Sequence, residues 1–187
     1  MKKIFSLLTL VLVGMLFASC EYRDHADAEY PECMVYQPCA GSIMNIDAQT
    51  NPLIYNVPTS SEPQLFVVDK AQGKLIINLG VVQSGITLAS GSVTLAPGVD
   101  VINTMITDGS LDNDIVILPI SSYDMPHSLD VVGANTPYRL SVTLDAIKAN
   151  PGKKVALAVT IMSDNFAVNE KLATQVILID ADYLSNI

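Results

Sequence analysis

The sequence has no tryptophan, two histidines and few aromatic residues of any kind, 6% in all. Nucleophilic catalysis needs a nucleophile, a general base and a group that orients the base. His25 lies in a polar segment, and His127 follows a proline in a predicted turn, so neither is favoured as a catalytic base. Ser84 and Ser90 adjoin glycines but lie outside the Gly-x-Ser-x-Gly pattern of a nucleophile elbow. The sequence therefore predicts no nucleophilic catalytic site.

Other catalytic patterns are missing as well. Glycoside hydrolysis needs two placed carboxylates, and nothing in the spacing of the 19 acidic residues singles out a pair. The glycine-rich loops that hold phosphates or dinucleotides are absent from the sequence, so we expect no cofactor.

The missing tryptophan also limits carbohydrate binding, because sugar sites usually stack an aromatic face on the pyranose ring. Among the seven tyrosines, Tyr36 and Tyr55 are the candidate ligand-binding residues. The alternative is that these rings pack at sheet edges. The composition therefore does not suggest a strong autonomous glycan binder.

Basic residues are scarce, since ten Lys and Arg stand against 19 Asp and Glu, a formal net charge of −9. An acidic surface repels nucleic-acid phosphates and anionic lipid headgroups. This balance argues against nucleic acid as a partner and favours solubility outside the cell.

A sustained apolar run opens the chain. Lys2 and Lys3 precede the apolar residues 4–17, and Ala18-Ser19-Cys20 follows them. This 14-residue run is too short for a hydrocarbon core that needs about 20 residues, and it is typical of a signal peptide. Small residues ending on a cysteine are typical of a bacterial lipoprotein, which predicts cleavage before Cys20 and its lipidation. The alternative is an ordinary signal peptide with an incidental cysteine.

These features divide the chain into three parts. Residues 1–19 are predicted to be a lipoprotein signal peptide, residues 20–32 a lipidated tether, and residues 33–187 one domain. Removal of the signal leaves 168 residues with a net charge of −11, enough for one domain with a sizeable core. Several acyl chains would hold it firmly to a membrane. We expect it in the cell envelope, lipid-anchored at the outer membrane and exposed on the surface.

Two further cysteines, Cys33 and Cys39, are separated by five residues. In an exported protein such a pair readily forms a disulfide. The competing interpretations are two reduced thiols or half of a metal site, and the second is disfavoured because no histidine or carboxylate cluster accompanies the pair.

The densest acidic loop contains Asp108, Asp112 and Asp114. Carboxylate oxygens are calcium ligands, so this loop is a weak calcium candidate, although its order does not match the helix-loop-helix calcium pattern. A solvated loop with turn-forming residues is the favoured alternative.

Alternating apolar residues predict a series of short strands. Residues 174–179 are apolar on both faces, as in a central strand. Residues 101–106, followed by Gly109, and residues 144–149 predict short helices. The fold predicted is all-β, an antiparallel two-sheet immunoglobulin-like sandwich with one or two short helices. The predicted strands are 53–57, 64–68, 74–82, 114–118, 128–132, 138–144, 154–161 and 174–179.

Several strand-and-turn motifs resemble a known family. They are Ile117-Leu118-Pro119 with Tyr123, and the segments 152–161, 169–180 and 75–85. Together they resemble the uncharacterised N-terminal domain of many Bacteroidetes surface lipoproteins, over residues 50–182. The resemblance implies an immunoglobulin-like sandwich and a role in surface glycan use. The C-terminal module that usually follows that domain is expected to be absent, so its activity is not carried over.

The function predicted is therefore a non-enzymatic, lipid-anchored surface sandwich that assists glycan capture or serves as a spacer or assembly module. Its expected partners are the membrane, through the lipid, and a glycan or a surface protein. One alternative is a structural or adhesive, pilin-like subunit, because exposed sheet edges can accept a donated strand. A glycoside hydrolase is the least favoured alternative.

Overall fold

The computed structural model describes residues 33–38, 53–58, 65–85 and 87–185. The predicted signal peptide and tether lie outside the described residues. Among the described residues, no helix is both long and apolar enough to cross a bilayer.

Two six-stranded sheets make up this part of the chain, and the two-sheet sandwich predicted from the sequence is confirmed. The strands are β1 (Met34–Tyr36), β2 (Leu53–Val57), β3 (Phe66–Asp69), β4 (Lys74–Ser84), β5 (Ser90–Pro97), β6 (Val116–Ile117), β7 (Tyr123–Asp124), β8 (Ser128–Val132), β9 (Asn135–Thr143), β10 (Lys154–Met162), β11 (Ala167–Val168) and β12 (Thr174–Asp180). Sheet A has the order β11-β1-β4-β9-β7, with β3 also paired to β4, and sheet B has the order β2-β12-β10-β5-β8, with β6 also paired to β10.

The core between the sheets follows the predicted alternation. Every second residue of β4 from Leu75 points inward and is buried, and the same holds in β9 from Tyr138 to Val142 and in β10 from Val155 to Ile161. Side chains alternate between the two faces of a strand, so period-2 sequence patterns translate directly into one buried face. The buried residues that were predicted to share a face are Leu75, Ile77, Leu79 and Val81 in β4, Tyr138, Leu140 and Val142 in β9, and Val155, Leu157, Val159 and Ile161 in β10.

A helix covers part of the outer face of sheet B. Helix α1 (Val99–Thr107) buries Ile102 and Met105 in a second cluster with Ala156 and Ala158 of β10 and Val176 and Leu178 of β12. This cluster explains why β10 and β12 are buried on both faces. The chain turns after α1 at Gly109, whose φ of +81° favours glycine.

The structure also adds detail that the sequence pattern did not predict. The strand pairing is mixed and not wholly antiparallel as predicted, since β1–β11, β2–β12 and β6–β10 run parallel. The predicted strand 114–118 is reduced to β6. The predicted helix 144–149 is α2 (Leu144–Lys148), and a further helix, α3 (Ala181–Ser185), follows β12.

A buried polar junction joins the two sheets. Gln37, directly after β1, is 2% exposed, and its Nε2 donates to the carbonyl oxygens of Val159 at 2.7 Å and Ala173 at 2.8 Å. The hydroxyl of Tyr138 in β9 donates to Gln37 Oε1. Burial of this phenol raises the pKa of Tyr138. The junction therefore connects sheet A to sheet B through three hydrogen bonds, of which those to Val159 and from Tyr138 are buried.

Candidate binding site

The outer face of sheet B carries a cleft where β5 pairs with β8. Its volume is about 470 Å³, within the roughly 300–1,000 Å³ range of ligand clefts. The cleft is lined by Ser90, Gly91, Ser92, Asp130, Val132 and Asn165.

Strand register places four of these side chains side by side. Ser92 lies directly opposite Asp130, and Ser90 lies opposite Val132. Val131, between the two β8 residues, is fully buried, so its neighbours on either side point outward. Opposed residues have Cβ atoms about 5 Å apart, and alternate residues of a strand are about 7 Å apart. The four side chains therefore form a patch of roughly 5 Å by 7 Å.

The loop after β10 adds Asn165 to this patch in a fixed position. The backbone N–H and the hydroxyl of Ser92 both donate to Asn165 Oδ1 at 3.1 Å. The hydroxyl of Ser163 donates to the Ser92 carbonyl oxygen at 2.8 Å and accepts from the Asn165 N–H at 3.1 Å. A Cβ on Gly91 would lie 2.9 Å from Asn165 Cβ, so only glycine allows this close approach.

The cleft keeps unused hydrogen-bonding capacity. Within the described part of the chain, neither Asn165 Nδ2 nor the Asp130 carboxylate has a hydrogen-bond partner. An amide nitrogen carries two donors, and a carboxylate offers acceptors only. Val132 adds an apolar surface, since 69% of this residue is exposed. The cleft can therefore donate to a ligand, accept from it and contact its apolar atoms.

Comparisons with known proteins identify the fold. A candidate carbohydrate-binding protein from Bacteroides ovatus aligns with 79% of this chain and 36% of its own, at 11% identity and a TM-score of 0.55. A two-domain protein of unknown function from Bacteroides fragilis aligns with 80% of this chain and 45% of its own, at 10% identity and a TM-score of 0.51. A Bacteroides ovatus protein of unknown function covers the same shares at 16% identity and a TM-score of 0.47.

The likeness is one of fold. At sequence identities this low, the function of a residue in one protein cannot be transferred to another. This chain spans less than half the length of each of the three structures. The resemblance to an uncharacterised Bacteroidetes sandwich domain is thereby confirmed as a resemblance of architecture. No family model matches the sequence, and no curated protein matches it.

The two candidate tyrosines lie in different sheets and differ in burial. Tyr36 is half-buried on the outer face of sheet A, opposite Val82, because its neighbour Val35 points inward with no exposed surface. It is therefore not part of the cleft on sheet B, and its role stays a prediction. Tyr55 is 1% exposed, and its hydroxyl accepts from the Leu65 N–H at 3.2 Å. Burial raises the pKa of Tyr55, and the bond from Leu65 partly offsets that rise. This burial speaks against a sugar-stacking role, because the ring offers no free face.

The acidic loop is not assembled as a metal site. Asp108 Oδ1 accepts from the Ser110 N–H at 2.9 Å, and hydrogen bonds from the Ser110 side chain and backbone lower the pKa of Asp108. Asp112 and Asp114 line a different pocket of about 200 Å³, together with Lys153 and Lys154. Among the described residues, no three histidine, cysteine or acidic side chains lie close enough to hold a metal. The structure therefore does not bring the calcium candidates together.

The predictions for cysteine remain open. Cys33 Sγ donates to Gln83 Oε1 at 3.1 Å, and Cys39 lies outside the described residues, so their disulfide stays a prediction. Cys20 also lies outside the described residues, and its lipidation stays a prediction.

None of the residues that line the cleft was predicted from the sequence to bind a ligand. Strand β5 was not among the predicted strands, because its Ser-Gly-Ser start is typical of a loop. Asp130 lies in a predicted strand, but nothing in the sequence distinguished it from other surface acids. The alternation Ser92-Val93-Thr94-Leu95 was the available signal for β5.

Proposed function

We propose that this protein is a non-enzymatic, lipid-anchored surface module that assists glycan capture, with the cleft between β5 and β8 as its binding site. The observation that carries this proposal is the unused hydrogen-bonding capacity of Asn165 and Asp130 in a cleft of suitable volume. Carbohydrates are dense in hydroxyl groups, which both donate and accept. The shared fold of a candidate carbohydrate-binding protein supports the same class of ligand.

The affinity expected is low. The cleft is open, and the described residues that line it include no aromatic ring. Without ring stacking or deep burial, a single site of this kind binds with a Kd of about 1 mM, or roughly −4 kcal/mol. Capture of a polysaccharide then depends on many copies held at one membrane, because linked weak sites gain effective concentration. This dependence is the physical reason to expect the lipid anchor at Cys20.

The anchor is tested by expressing the full chain and a Cys20→Ser variant in a Bacteroides host. We expect an alkyne-tagged palmitate analogue to label the full chain and not the variant. Protease treatment of intact cells should digest the full chain from outside. Equal labelling of both proteins, or protection until lysis, would contradict the anchored surface module.

Glycan capture is tested with the exported Cys20→Ser protein on an array of plant, host and microbial polysaccharides. The protein is presented as a dense layer on beads, so that weak sites act together. Retention of at least one polysaccharide is expected, without release of reducing ends. Retention of none would rule out glycan capture, and release of reducing ends would reinstate a hydrolase.

A further inference from the structure

We infer that the cleft between β5 and β8 binds a single neutral sugar residue through two adjacent hydroxyl groups, and discriminates against anionic sugars. This inference rests on the proposed function and narrows it to a ligand class and a set of contacts. It concerns the cleft alone and does not involve Tyr36.

The polar surface of the cleft has the size of one sugar residue. Four outward side chains, Ser90, Ser92, Asp130 and Val132, span roughly 5 Å by 7 Å. That area matches one pyranose ring, whereas a chain of several rings would extend beyond the polar groups. The cleft therefore suits one sugar residue, such as the end of a chain or a side branch.

The hydrogen-bond donors and acceptors of the cleft match a pair of hydroxyl groups. The hydroxyl of Ser92 donates to Asn165 Oδ1, so Ser92 Oγ can only accept from a ligand. The Asp130 carboxylate also only accepts, whereas Asn165 Nδ2 only donates. A pair of adjacent sugar hydroxyls can bond to all three groups. The two hydroxyls donate to Ser92 Oγ and to the Asp130 carboxylate, and their oxygens accept from Asn165 Nδ2. A ligand with acceptors alone, such as a ketone or an ether, would leave Asp130 unmatched.

The Asn165 side chain is preorganised for binding. Asn165 is held by both donors of Ser92 and by the turn that Ser163 closes, so its amide is oriented before a ligand arrives. Binding then costs little side-chain entropy, which matters for a site with few contacts. Gly91 is part of this arrangement, because its missing Cβ leaves space for Asn165 Cβ and the Phe166 ring.

The charge of the cleft disfavours anionic sugars. The described residues that line the cleft include one acid, Asp130, and no cation. The whole chain has a net charge of −9. A uronate or a sulfated sugar would place a second negative charge beside Asp130, and no cation of the cleft would offset it. This repulsion should weaken the binding of anionic sugars relative to neutral ones. The exposed Val132 side chain adds contact for the C–H face of a neutral ring.

The test uses ligand-detected NMR with the exported Cys20→Ser protein and four probes: methyl β-glucoside, methyl β-galactoside, methyl α-mannoside and galacturonic acid. The variants, made in the same background, are Asp130→Asn, Asn165→Ala and, as a control, Asp124→Asn. Asp124 is an exposed acid in β7 at the edge of sheet A, so the control makes the same charge change away from the cleft. Thermal unfolding checks that each variant folds.

At least one neutral glycoside should bind, and galacturonic acid should bind more weakly than the galactoside. Asp130→Asn should weaken neutral binding about tenfold, as expected for a hydrogen bond to a charged group, and should narrow the difference between the galactoside and galacturonic acid. Asn165→Ala should weaken binding about fivefold. Asp124→Asn should leave binding unchanged.

The outcomes separate this inference from the proposed function. If a neutral glycoside binds equally well to the parent, Asp130→Asn and Asn165→Ala, the site lies elsewhere. The inference and the placement of the binding site in this cleft are then both overturned, whereas glycan capture by the protein is not. If polysaccharide is retained on the array but no glycoside binds, or if galacturonic acid binds as well as the galactoside, the inference is likewise overturned alone. If neither polysaccharide nor glycoside binds, both fall.

Discussion

Two amide side chains in this protein have the same chemistry and opposite roles. Gln37 is 2% exposed, and its oxygen and nitrogen are both used in bonds to the protein. Asn165 is exposed, and only its oxygen is used, by the two donors of Ser92. A buried amide whose oxygen and nitrogen are both hydrogen-bonded contributes to stability. If it is removed, its buried partners lose a hydrogen bond that water does not replace, and the cost of desolvating them is no longer offset. An exposed amide that is oriented but only half used can serve a ligand.

The difference lies in which elements hold each amide. Gln37 follows β1 in sheet A and reaches the carbonyl of Val159 in sheet B, so its bonds connect parts of the chain more than a hundred residues apart. Asn165 is held by β5 and by its own loop, at the rim of sheet B. The first arrangement supports the whole sandwich, and the second supports one cleft.

The largest effect is expected for Gln37→Leu. The substitution leaves the Tyr138 hydroxyl and the carbonyls of Val159 and Ala173 buried without this partner, which should lower the free energy of unfolding by about 3 kcal/mol. Urea denaturation measures the loss. The control is Gln72→Leu in the exposed turn before β4, which should stay within about 0.5 kcal/mol of the parent. A loss below about 1 kcal/mol for Gln37→Leu would remove the contrast between the two amides.

A smaller effect is expected for Tyr138→Phe, about 1–2 kcal/mol at neutral pH, because only the donor to Gln37 Oε1 is lost. The pH dependence gives an independent readout. Burial raises the pKa of Tyr138, so the folded protein retains a proton that the unfolded chain releases above about pH 10. Stability should therefore fall as pH rises above that value, by up to about 1.4 kcal/mol per pH unit for this group.

The same burial raises the pKa of Tyr55 and Tyr123, so some alkaline loss should persist in Tyr138→Phe. The measurement is the free energy of unfolding between pH 8 and pH 12 for both proteins. A shallower alkaline slope in the variant is expected. Identical slopes would mean that Tyr138 does not retain its proton in the folded state.

Most strands of the sandwich could be predicted from the sequence because their apolar and polar residues alternate along the chain. In β4 and β9 one face is buried and the other open, so alternation in the sequence was sufficient. In β10 the alanines at 156 and 158 are also buried, under α1, and no local pattern tells an alanine beneath a helix from one in solvent. The parallel pairing of β2 with β12 joins distant parts of the chain, and register between such parts depends on tertiary packing.

The site was less predictable than the fold. Aromatic residues were the expected signal for sugar binding, and that expectation named Tyr36 and Tyr55. Tyr55 packs in the core, and Tyr36 lies on sheet A, where its role stays a prediction. The cleft instead uses a serine, an aspartate and an asparagine from three segments, Ser92, Asp130 and Asn165, which only the register of β5 and β8 and the loop after β10 bring together. Polar residues of these types are common on every surface, so their juxtaposition was the missing information.

Asn165→Ala is expected to have the smallest effect on stability. It is also the variant that best distinguishes the roles of the two amides. Removing the Asn165 amide breaks the hydrogen bonds from Ser92, and water can replace them because Asn165 is exposed. The turn stays closed, since the backbone N–H of residue 165 still donates to the Ser163 hydroxyl. The free energy of unfolding should fall by about 0.5 kcal/mol in urea denaturation, although sugar binding falls about fivefold. A stability loss near that of Gln37→Leu would instead make Asn165 a structural residue. A binding loss with stability nearly intact is what distinguishes an amide that serves a ligand from one that holds the sheets together.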